Sequence, residues 1–78
     1  MIREYIATFH SHFGALMYYR GLKEWGIPAK LAPVPRRVSA SCGTCVKYEW
    51  DGVVDLEGCE LDGVFVVQGG GFECVLRK

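Results

Sequence analysis

An α+β fold, one sheet with a single long helix packed across a face, follows from two patterns in this 78-residue chain. Short runs that alternate apolar and polar residues, or are apolar on both sides, recur at residues 3–9, 29–34, 45–50, 64–68 and 72–77, as strands do. Only residues 12–25 carry apolar side chains at helical spacing. Apolar residues make up 50% and charged residues 23%, which supplies a core and excludes disorder. At this length residues 1–78 form one domain, with no room for a second.

Each element has its own reason. In residues 3–9, Tyr5, Ala7 and Phe9 share one face and Ile6 and Thr8 the other, which predicts a central strand covered on both sides. Ser11 stands where an N-cap belongs, although Gly14 takes the place a capping box would give to Glu or Gln. Ala15, Leu16, Tyr18, Tyr19, Leu22 and Trp25 then form a broad apolar stripe, Arg20 and Glu24 lie opposite, and Gly26 ends the helix. Residues 29–34 follow as a second strand. Strand, helix and strand in so short a span make a βαβ unit with parallel strands and a right-handed crossover. A third strand, 45–50, returns antiparallel and breaks at Asp51-Gly52. Residues 51–60 hold at most a short second helix, stopped at Gly58, and the remainder is a C-terminal hairpin turning at Gly69-Gly70-Gly71. One helix leaves the second sheet face partly open, which leaves room for a homodimer.

The stretch Pro33-Val-Pro-Arg-Arg-Val-Ser-Ala-Ser-Cys-Gly-Thr-Cys45 concentrates chemistry. Pro33 and Pro35 fix the backbone and remove donors, so the chain leaves the sheet as a stiff connection. Gly43 lets backbone N–H groups approach the neighbouring thiol, and Arg36 or Arg37 favours its thiolate, the nucleophilic form. Cys42 is therefore the candidate reactive atom, against the plainer reading of a small buried hydrophobe in an ordinary loop. Parallel strands end on the same sheet edge. Phe9-His10-Ser11-His12 thus approaches the Cys42 loop, together with the positive end of the helix dipole.

Other functions are weakened by what is missing. Nine basic and nine acidic residues cancel, so the electrostatic footprint of nucleic-acid binding is absent. No export signal or membrane span stands out, and four cysteines without one point to a reducing, cytoplasmic setting.

Phe9-His10-Ser11, Leu22-Lys23-Glu24-Trp25-Gly26-Ile27-Pro28, Pro33-Val34-Pro35-Arg36 and Ser39-Ala40-Ser41-Cys42-Gly43, in this order and spacing, resemble the selenium/sulfur carrier-like proteins, a small bacterial family of unknown function. The resemblance covers residues 1–67, and Pro-x-Pro-Arg-x-x-Ser-x-Ser-Cys-Gly is its most specific part. It implies a ferredoxin-like βαββαβ domain, here βαββ(α)β with the second helix shortened, and a cysteine, Cys42, that holds sulfur or selenium as a persulfide-type adduct. Cys45, Cys59, Cys74 and the glycine-rich hairpin depart from the family pattern.

Four readings follow. The first is a cytoplasmic carrier that takes sulfur or selenium on Cys42 from one protein and hands it to another, without a cofactor. In it Arg36, Ser41 and the helix N-terminus stabilise the adduct's charge, Gly43 belongs to the same loop, and His10, Ser11, Ser39 and Cys45 support it. It is a shuttle more than a stand-alone enzyme. The second is a dithiol redox protein in which Cys45 resolves Cys42, although a strand follows the C-x-x-C where acidification needs a helix. The third, a zinc site made by the four cysteines or by His10 and His12, lacks a second C-x-x-C half-site, and no metal is expected. The fourth, a non-catalytic interaction module, gives the Arg36 and Cys42 motif no purpose.

Overall fold

A computed structural model of the chain describes residues 1–38 and 42–78. Its elements are β1 (Arg3–Phe9), α1 (His12–Glu24), β2 (Ala29–Pro33), β3 (Thr44–Trp50), β4 (Leu61–Gln68) and β5 (Gly71–Arg77). The strands form one sheet in the order β2-β3-β1-β4-β5, and every neighbouring pair is antiparallel. The fold is α+β, as the patterns predict, with β1 at its centre. Because β1 and β2 are both antiparallel to β3, they run in the same direction, but β3 stands between them. The sheet is arranged by burial. β1, closed on both faces from Tyr5 onward, takes the middle, whereas short β2, with Lys30 and a proline at its end, suits an edge.

Helix α1 starts and stops on local chemistry. Ser11 is extended and its Oγ accepts the Gly14 N–H at 3.1 Å. At the other end Gly26 takes a positive φ of 76°, its N–H reaches the Lys23 carbonyl, and the Ile27 N–H reaches the Leu22 carbonyl at 2.9 Å. This Schellman closure also brings Ile27 and Leu22 together in the core. Among the described residues no helix is long and apolar enough to cross a membrane.

Ala15, Tyr18 and Leu22 press the helix onto Tyr5, Ala7 and Phe9 of β1, Val46 and Tyr48 of β3, and Val64 and Val66 of β4. Tyr18 is the centre of this layer, edge-on to Phe9 at 5.1 Å and tilted against Tyr48 at 5.9 Å. Its hydroxyl donates to the Val54 carbonyl at 2.6 Å, while the Val54 N–H donates to the Tyr48 hydroxyl at 3.2 Å. Those two bonds correct the expectation for residues 51–60. No helix forms there, because two core phenols capture the backbone groups of Val54 that a helix would need. The segment instead lies flat along α1, where a Cβ on Gly14 would collide with the Cys59 carbonyl oxygen and one on Gly21 would stand 2.8 Å from Leu56 Cδ1. A helix is too thick for so close an approach. Released from helical geometry, Gly58 and Glu60 turn at positive φ, and β4 begins at Leu61, three residues earlier than the pattern predicts.

Candidate functional site around Cys42

Strand direction brings the carboxyl ends of β1 and β2, the start of β3 and the N-terminus of α1 to one edge of the sheet. Cys45 is paired with Thr8 on one side and Ala32 on the other, and Thr44 with Pro33. The Val34 N–H donates to the Gly43 carbonyl at 3.0 Å, so the β2–β3 ladder extends one step past the strands. Beyond it Pro35 opens a turn, closed by the Val38 N–H on the Pro35 carbonyl at 3.0 Å.

Cys42 is half-buried at the return of this excursion. The Thr44 N–H donates to its Sγ at 3.3 Å, and Sγ lies 3.6 Å from the Thr44 carbonyl. The Thr44 hydroxyl in turn bonds His12 Nδ1 at 3.0 Å. Thr44 therefore links the thiol's loop to the first residue of α1, beside the Ser11 cap. A sulfur here has an aimed N–H, partial access to solvent and the positive end of a helix dipole close by. Such a setting favours negative charge on the sulfur.

The predicted site residues separate into distinct groups. Cys42 and Ser11 meet at this edge through Thr44 and His12. Thr44 is not among the predicted site residues, and His12 is predicted only to approach the loop and as a possible zinc ligand. Their signals are the position of His12 directly after the cap and of Thr44 two residues after the thiol. His10 leans toward β4: its N–H donates to the Glu60 carbonyl at 2.9 Å, and its Nε2 lies 3.7 Å from Asp62 Oδ1. Asp62, also near Arg77 at 3.8 Å, is the charged residue buried among the described residues. Arg36 is exposed and makes no hydrogen bond or ion pair with a described residue. Arg37 is the tethered one, its guanidinium donating to the Gly70 carbonyl at 3.2 Å. Gly43 has open space around it, so no close approach requires glycine there, and the N–H that reaches the thiol is that of Thr44. Ser39 and Ser41 lie outside the described residues.

The four thiols do not gather. Cys45 is fully buried, its Sγ donating to the Pro33 carbonyl at 3.5 Å, and burial pushes the thiol above its ordinary range. Cys59 lies in the helix-side core, also pushed up by burial, and Cys74 is exposed on β5. Among the described residues no three His, Cys, Asp or Glu side chains converge as metal ligands would.

Half-open thiol, proline-stiffened approach and capped helix all lie within the part of the chain that a family comparison recognises. The chain belongs to the family described as putative Se/S carrier protein-like. The match covers residues 4–59, from β1 to the turn before β4, and so includes the whole Cys42 edge. No curated protein and no solved structure matches the chain. β4 and β5 lie beyond the matched residues, although β4 completes the cover of β1.

Proposed function

We propose that this member of the Se/S carrier-like family carries sulfur or selenium as a persulfide-type adduct on Cys42, received from one protein and delivered to another. The observation that carries the reading is the half-buried Cys42 Sγ with the Thr44 N–H directed at it, next to the capped start of α1. The chemistry is a single transfer. The Cys42 thiolate attacks the outer sulfur of a donor persulfide, the donor's thiolate leaves, and the sulfur gained carries the negative charge to the helix end. Arg36, exposed and without a bond to a described residue, meets the incoming anionic group, and Ser41 and Ser39 add hydroxyls to the same loop. No cofactor takes part, no nucleic acid or membrane is involved, and the setting is cytoplasmic. Cys45, closed away and hydrogen-bonded, counts against a freely cycling dithiol. The strand order β2-β3-β1-β4 is read as a ferredoxin-like plan without its second helix, with β5 added at an edge.

Intact-mass measurement after treatment with glutathione persulfide tests the reading. The wild-type chain gains one sulfur, removable by a thiol reductant, and Cys42→Ser gains none. An equal gain in Cys42→Ser would move the adduct to another cysteine and end the proposal.

A further inference from the structure

The second thiol of Cys42-Gly-Thr-Cys45 sits three residues from the first, but the fold has put it under cover. Cys45 pairs with Thr8 and Ala32, on the sheet face turned away from the helix-side core. Around Cys45 that face is closed, with Cys45 and Thr8 0% exposed and Ile6 2% exposed, whereas Glu4, Lys30 and Glu49 at its other end are exposed. The helix covers the opposite face. What reaches the second face is the chain leaving β2. Arg37 follows the end of β2 by four residues, yet it bonds Gly70, in the turn between β4 and β5 at the far edge of the sheet. Gly70 lies on the far side of β1 from β2, so this bond is made across a face of the sheet and not along an edge. Val38, next to it, is buried and yet absent from the helix-side core. Residues 34–38 therefore form a strap over the second face, fixed at one end by the Val34–Gly43 bond and at the other by the Arg37–Gly70 bond.

We propose that Cys45 is the thiol that discharges the adduct on Cys42, and that the strap holds it back until a partner displaces it. The inference rests on the carrier reading. Only Gly43 and Thr44 separate the two thiols, and the Thr44 N–H holds the Cys42 sulfur beside the strand that carries Cys45. Once freed from the Pro33 carbonyl, the Cys45 sulfur attacks the Cys42 sulfur. A Cys42–Cys45 bond forms, the bond from Cys42 to the carried sulfur breaks, and that sulfur leaves as hydrosulfide with the proton from Cys45. The carried sulfur is reduced, the two cysteines are oxidised to a disulfide, and no outside oxidant is needed. A strap that stays down preserves the cargo. Lifted, it makes release irreversible until the disulfide is reduced.

Three chains charged with glutathione persulfide provide the test: wild type, the unstrapped Arg37→Ala/Val38→Ser variant, and that variant carrying Cys45→Ser. The unstrapped chain loses its adduct at least about tenfold faster than wild type, releasing one hydrogen sulfide and leaving one disulfide per chain, and Cys45→Ser restores the lifetime. Equal lifetimes in the wild-type and unstrapped chains would overturn the proposal. If the double variant loses far-UV dichroism, Arg37→Ala alone is compared on the same terms. Should no chain accept sulfur, the carrier reading fails, and alkylation of Cys45 in a Cys42→Ser background still decides the strap. Its rate rises about tenfold on unstrapping, whereas an unchanged rate shows that residues 34–38 do not guard the thiol.

Discussion

The two faces of the sheet are covered by different means. On one face the cover is a capped helix and a flat segment seated in glycine gaps, joined by an aromatic layer whose hydroxyls are satisfied. On the other it is a connection between strands, held by a guanidinium on a carbonyl and by one buried valine. Core packing makes the first face the seat of stability, because burial scales with apolar area. The second cover has neither helix nor strand over residues 34–38 and is held at one end by an exposed hydrogen bond, as in regions that open locally at low cost. The candidate thiols lie where the two meet, Cys42 by the helix end and Cys45 beneath the strap.

Perturbing each face separates these roles, and the largest effect belongs to the helix side. Tyr18→Ala removes the ring that joins Phe9 and Tyr48 and should cost about 3–5 kcal/mol in urea unfolding. A loss below about 1 kcal/mol would mean that the aromatic layer is not the core's centre. Gly14→Ala comes next, at about 1–3 kcal/mol, since the added methyl must displace the Cys59 carbonyl. Unchanged stability there would show that residues 51–60 shift freely away from α1.

Alkaline titration gives a more gradual effect. Burial raises Tyr18, Tyr48, Cys45 and Cys59 above their ordinary values, about 10 for the phenols and 9 for the thiols. Each is neutral when protonated, and above those values the unfolded chain loses its proton first. Stability is therefore full below about pH 9 and falls as pH rises through the ordinary thiol and phenol ranges. For Tyr18 the limiting slope is about 1.4 kcal/mol per pH unit, and Tyr18→Phe should flatten it. A slope unchanged in Tyr18→Phe would assign the alkaline loss to other groups.

The smallest stability effect belongs to the strap. Arg37→Ala should cost less than about 1 kcal/mol, because an exposed hydrogen bond contributes little net free energy. Arg36→Ala should cost less still but slow sulfur uptake at Cys42, a split visible by comparing urea unfolding with adduct formation. If the two arginines exchange these effects, Arg36 and not Arg37 holds the strap.

The elements themselves were legible because their signals are local. Alternation in residues 3–9, the Ser11 cap, the helical stripe and Gly26 each act within a few residues of where they stand, and the fold class follows from them. The sequence also singled out Cys42 as the candidate thiol, through the Pro-x-Pro-Arg stretch that leads to it. Only the tertiary structure decided that β3 runs between β1 and β2, that residues 51–60 lie flat, that Arg37 rather than Arg36 is tethered, and that His12 and Thr44 meet beside the thiol. Those outcomes depend on groups far apart in the chain. Val54 loses helical geometry to Tyr18 and Tyr48, and Arg37 finds Gly70 33 residues away, so neither contact leaves a periodic trace in the stretch it reshapes.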